Sequence, residues 1–120
     1  MKVNRFKTSP AVSPTLDAHV MHTSPTLEVV NLHLTPGQAL AQHVNNFDVV
    51  MCLIEGSVTI ESGDESHFLE THDVIEIPGG LQRGVVNSGT KDDRLLVLKK
   101  VLQPFKWTSK CTAFPEKFWS

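Results

Sequence analysis

Along most of the chain, short apolar segments alternate with polar ones at the two-residue period of a β-strand. In Leu27–Leu34 (LEVVNLHL), Val30, Leu32 and Leu34 fall on one face and Val29, Asn31 and His33 on the other. Thr35, Pro36 and Gly37 predict a turn, because proline presets φ and glycine accepts positive φ. Residues 38–45 (QALAQHVN) predict the next strand, in which strict alternation puts Ala39, Ala41, His43 and Asn45 on a shared face. Residues 49–54 (VVMCLI) are apolar on both faces. Residues 57–61 and 66–70 flank Ser62, Gly63 and Asp64 as a hairpin, and 73–77 runs into Pro78, Gly79 and Gly80. Strands over 82–87 and 94–101 complete the set. About eight short antiparallel strands at spacings of about ten residues, with no helical period between them, predict an all-β fold: a sandwich or a closed jelly-roll barrel.

The ends of the chain differ from this core. Residues 1–25 are rich in Ser, Thr and Pro, and predict an extended arm that lies along a sheet edge or a partner subunit. The barrel is expected over 26–104. Phe105, Trp107, Phe114, Phe118 and Trp119 stand among lysines, so 105–120 is expected to pack on the barrel or on a partner. A strand apolar on both faces needs cover on both, which predicts a homodimer.

Composition narrows the possible partners. The 120 residues carry a formal charge of −2 with no dense basic run, which argues against nucleic acid. The first ten residues lack a signal-peptide core and the apolar run 49–54 is too short to span a bilayer, so a cytoplasmic protein without a membrane partner is expected. Two cysteines, Cys52 and Cys111, are not a disulfide framework and are read as free thiols.

Two spacings carry more information than composition. The first is Gly37, five residues, His43, one residue, Asn45, three residues, Val49, six residues, Gly56. The second is Pro78, Gly79, Gly80, two residues, Arg83, three residues, Asn87. In these spacings the chain resembles the cupin superfamily of small double-stranded β-helix barrels, of the RmlC-like jelly-roll type. The resemblance implies a single divalent metal held by two histidines and a glutamate from the first motif and a histidine from the second. By position those places are His43, Asn45, Val49 and Arg83. His72 stands where the second motif normally opens with glycine. The turn residues of the motifs are kept, and the metal ligands are mostly replaced.

That replacement shapes the functional expectation. A protein metal site usually takes three or more ligands from His, Cys, Asp and Glu. Valine supplies none, and a guanidinium about 4 Å from a cation costs on the order of 4 kcal/mol per unit charge at an effective dielectric of about 20. A substitute set of His43, Asp48 and His33 would need a β-bulge between Asn45 and Val49 to turn Asp48 inward. An arginine facing a cavity instead invites a planar oxyanion. The expected site is therefore a pocket of His43, Asn45, Val49, Met51 and Arg83 that binds a small carboxylate or other oxyanion-bearing molecule without metal or other cofactor. Arg83 could alternatively meet a carboxylate such as Glu76 at the mouth. The competing reading, implied by the resemblance, is a metal-dependent dioxygenase, isomerase or decarboxylase with a remodelled centre. A metal-free epimerase of the histidine and tyrosine type is disfavoured, since the chain contains no tyrosine. Whether any reaction is catalysed stays open, and no catalytic residue is assigned.

Overall fold

The computed structural model describes residues 1–101. Among these residues ten strands form two antiparallel sheets. They are β1 (Ala11–Ser13), β2 (Leu16–Thr23), β3 (Leu27–Leu34), β4 (Ala39–His43), β5 (Val49–Glu55), β6 (Ser57–Ser62), β7 (Glu65–Glu70), β8 (Val74–Ile77), β9 (Arg83–Val86) and β10 (Asp93–Lys100). The larger sheet has the order β1-β2-β3-β10-β5-β8 and the smaller β4-β9-β6-β7. Consecutive strands that cross between sheets, such as β3 to β4 and β8 to β9, fold the chain into a jelly roll. Strands β3 to β10 are the eight that the alternation predicts.

The first 25 residues, expected as an extended arm along a sheet edge or a partner subunit, supply a 3-10 turn at Phe6–Thr8 and the hairpin β1–β2 at the edge of the larger sheet. The physical reason is a short alternation hidden among Ser, Thr and Pro: Leu16, Ala18 and Val20 point inward, and Ala18 is buried. The turn is fastened outside the sheet, with the Phe6 ring 4.2 Å from that of His19 and the Arg94 guanidinium 5.0 Å over Phe6. The tail over 105–120, the end of the barrel at 102–104 and Cys111 lie outside the described residues.

Between the sheets lies an aliphatic core that includes Leu34, Leu53, Val58, Ile60, Val85 and Leu95. One end of the barrel is closed by polar groups. Asn87, fully buried, donates from its amide to the carbonyls of Leu34 (3.1 Å) and Lys91 (2.8 Å), and its Oδ1 accepts from Gly89 N–H (3.0 Å). Beside it the Asp93 carboxylate accepts from Ser57 N–H (2.9 Å), and burial pushes its pKa up. Gly56, with φ +92°, passes so close that a Cβ there would overlap Asp93 Oδ1. These bonds seal one end and leave the cavity to open at the other.

Candidate functional site

At the other end a cavity of about 500 Å³ opens between the sheets. All five expected site residues, His43, Asn45, Val49, Met51 and Arg83, line it. How His43 comes to face inward differs from the expected alternation. In β4 three steps, from Leu40 to His43, run opposite two steps in β9, from Val85 to Arg83, so β4 carries one extra residue. The bulge leaves Ala41 and Gln42 without the regular alternation, and both Leu40 and His43 line the cavity, while Ala39 and Ala41 do not. Gly84 makes this possible. A Cβ on it would lie 2.9 Å from Gln42 N, Gln42 Cγ and Leu40 O. Over the bare glycine, Gln42 reaches the hairpin turn, where its Oε1 accepts from Gly63 N–H (2.8 Å).

Arg83 is 2% exposed. Its Nη1 donates to the carbonyls of Leu81 (2.9 Å) and Pro78 (3.5 Å), and its Nη2 to that of Phe47 (3.2 Å). Two loops thus fix the plane of the guanidinium. Among the described residues no carboxylate forms an ion pair with it, Glu76 included. Burial draws its pKa down and the Asp48 carboxylate pulls the other way. Carbonyl dipoles offset part of the desolvation, but the net charge remains.

The other candidates sort by their bonds. His43 directs Nδ1 at its own turn, 3.1 Å from Ala41 O, which leaves Nε2 without a protein partner among the described residues. Asn45 Oδ1 accepts from Phe47 N–H (2.8 Å) in an Asx turn, so its carbonyl oxygen is committed to the backbone. Asp48 Oδ1 accepts from Gly79 N–H (2.8 Å) and does not line the cavity; residues 44–48 are a loop between β4 and β5 instead of a continuous strand, so the expected bulge between Asn45 and Val49 has no strand to sit in. His33 is on the outer face of β3, with Nδ1 2.8 Å from Asp17 Oδ2 and Nε2 2.9 Å from Asp92 Oδ2. These two carboxylates raise its pKa, Asp92 most. His43, Asp48 and His33 are therefore not brought together, and no group of three His, Cys, Asp or Glu side chains suited to a metal ion occurs among the described residues.

The positions that the cupin resemblance assigns to a metal do not fit one. They present one imidazole, an amide whose oxygen is used, an isopropyl group and a buried cation.

Several lining residues escaped the sequence reading. Leu16, Ala18 and Val20 of the N-terminal hairpin form one wall, and Leu40, Glu28 and Lys99 contribute elsewhere. The alternation of 16, 18 and 20 was the available signal for the hairpin. Lys99 follows the inward-facing Leu95 and Val97 by the same period, and its Nζ pairs with Glu28 at 3.3 Å.

No protein-family model matches the sequence, and no curated protein matches it at a significant level. Solved structures do. The TT1209 protein of Thermus thermophilus is 26% identical, with 83% of this chain and 97% of that chain covered at a TM-score of 0.70. A conserved Klebsiella pneumoniae protein with a double-stranded β-helix domain is 20% identical over 83% of this chain and 90% of its own, with a TM-score of 0.72. An RmlC-like cupin family protein from Methanocaldococcus jannaschii gives 19% identity, the same coverage of 83% and 90%, and a TM-score of 0.72.

Proposed function

Given the cupin fold, a double-stranded β-helix barrel closed at one end, we propose that this chain is a metal-free binding module that takes a carboxylate or other oxyanion beside Arg83 and His43. The observation that carries the reading is a buried guanidinium in a cavity wall without a carboxylate partner among the described residues. Three backbone carbonyls orient it without neutralising it. A planar anion supplies both the missing charge and acceptors for its remaining N–H groups. His43 Nε2 adds a second polar contact at the rim, and Val49 and Met51 supply apolar wall.

The test is calorimetric titration of the full chain with acetate, butanoate and benzoate, beside Arg83→Met. Loss of charge-assisted hydrogen bonds worth about 1.5–3 kcal/mol weakens binding by roughly 10- to 150-fold. Equal affinity in the two proteins, both folded by thermal melt, refutes the reading.

Self-association and location belong to the same proposal. Val50, Cys52, Ile54, Leu96, Leu98 and Val74 share the outer face of neighbouring strands β10, β5 and β8, and Ile54 and Val74 are exposed. This face supports a homodimer, to be checked by sedimentation equilibrium. No helix of the described residues is long and apolar enough to cross a membrane. Cytoplasmic residence is the accompanying proposal.

A further inference from the structure

Strand register arranges the cavity's wall on the larger sheet in rows. Lys99 lies opposite Glu28 on β3 and Val49 on β5, which makes a charged row. Two residues deeper, Val97 lies opposite Val30 and Met51, and Val30 opposite Val20. Two residues deeper again, Leu95 lies opposite Leu32 and Leu53, and Leu32 opposite Ala18; of this row Leu32 and Ala18 line the cavity, while Leu95 and Leu53 belong to the closed core. The smaller sheet repeats the gradient: His43 opposite Arg83, then Leu40 opposite Val85. The polar rows are at the same end, because Arg83 bonds Phe47 O, and Lys100 N–H donates to Asp48 O beside the Val49 and Lys99 pair.

From this gradient we infer that the ligand is an amphipathic aliphatic monocarboxylate, its acid group at the rim and its hydrocarbon body in the rows below. The inference rests on the oxyanion reading of Arg83 and goes further by naming the body and the charge of the ligand. The deeper rows are walled by Leu, Val, Ala and Met. A sugar or polyol placed there would leave hydroxyls without partners, at a cost of about 1–3 kcal/mol each by protein mutational measures. A methylene chain gains what a hydroxylated body loses. A cavity of about 500 Å³ lies within the size range of small-molecule sites and admits a medium-length hydrocarbon chain.

The charged lining side chains set the number of acid groups. Lys99 is paired with Glu28 at 3.3 Å, and Arg83 feels the Asp48 carboxylate only from outside the lining, where Gly79 N–H holds it. Among the described lining residues Arg83 is thus the cation with no carboxylate in ion-pair contact, and one ligand carboxylate fills that place. A second would have to displace Glu28 from Lys99, and both would then share one ammonium.

The experiment is calorimetry on the full chain with straight-chain acids from butanoate to decanoate, with 1-octanol and octanedioate as comparisons. The dissociation constant is expected to fall about fourfold for each added methylene until the cavity is filled. Octanoate is expected to outbind 1-octanol and octanedioate by at least about tenfold. Val20→Phe, which narrows the hairpin wall, moves the preferred acid to a shorter chain while its melting curve stays cooperative. Affinity that is independent of chain length but still lost in Arg83→Met overturns the amphipathic inference and leaves the oxyanion reading standing. Octanol binding as tightly as octanoate, with Arg83→Met unchanged, overturns both. Octanedioate matching octanoate overturns the single-charge assignment, and no binding by any acid overturns the whole.

Discussion

His72→Gly should make this protein more stable. His72 is the one non-glycine residue with positive φ, +83°, among the described residues, at the turn between β7 and β8. Its backbone N–H donates to Leu53 O at 2.8 Å and Leu53 N–H donates to Asp73 O at 3.0 Å, while Thr71 Oγ1 donates to Gly56 O and Asp73 Oδ2 accepts from Glu70 N–H, both at 2.8 Å, so the turn is locked without the His72 side chain. The side chain is exposed and makes no hydrogen bond with the described residues. Left-handed backbone costs an L-residue roughly 1–2 kcal/mol. Glycine removes that cost but gives back roughly 0.5–1 kcal/mol through the entropy of its unfolded chain. The net gain is about 0.5–1 kcal/mol, or about 2–5 °C in melting temperature for a domain of this size. The assay is urea unfolding, where the midpoint should rise at an unchanged slope. His72→Ala is the control: it keeps the strain, loses the tolerance of histidine for this region, and should be neutral or less stable. An unchanged or lower midpoint for His72→Gly, with slope preserved, would refute the reasoning that this turn is strained.

Three further outcomes follow from the fold. Asn87→Ala should cost about 3 kcal/mol in chemical unfolding, because the buried carbonyl of Leu34 and the groups of Lys91 and Gly89 lose their partner at once. Gly84→Ala should cost about 1–3 kcal/mol and weaken octanoate binding, since the new methyl presses on the β4 bulge that turns His43 inward. The third outcome concerns pH. His33 has a folded pKa raised by Asp92 and Asp17, so its pairing stabilises fully below the ordinary histidine value and is lost as pH rises through the raised one. Asp17, whose pKa its hydrogen bond with His33 lowers, contributes above the ordinary aspartate value and loses that contribution as pH falls through the lowered one. Stability from this clamp is therefore greatest between about pH 4 and pH 6.5. Unfolding free energy should decline from pH 6.5 to 8.5, and His33→Gln should flatten that decline. A decline of equal slope in the variant would show that the clamp does not set it.

Much of the barrel could be read from residue order, and the reasons are local. Val30, Leu32 and Leu34 alternate, and Pro36 with Gly37 and Pro78 with Gly79 and Gly80 punctuate, so strand number and order from β3 to β10 follow from period and turn chemistry. His43 and Arg83, which the motif spacings singled out, line the cavity. The hairpin β1–β2 was hidden because three inward residues among Ser, Thr and Pro are too few to show a period. The bulge in β4 was hidden for another reason. Whether alternation slips between Leu40 and His43 is decided by the missing side chain of Gly84 on a strand forty residues away.

Residue order alone determined that the chain alternates as strands and where it turns, and it singled out the groups that replace the ligands of the resembled motif. Tertiary structure decided which partner each of those groups found. A guanidinium expected to seek a counterion is held by three loop carbonyls, His33 is spent on two aspartates outside the sheet, and Asp48 caps a turn. Backbone period is a property of neighbours in sequence, but hydrogen bonding and charge compensation are satisfied by whatever packing brings within about 3 Å. Only closure of the two sheets set polar rows at one end of the cavity and aliphatic rows below them.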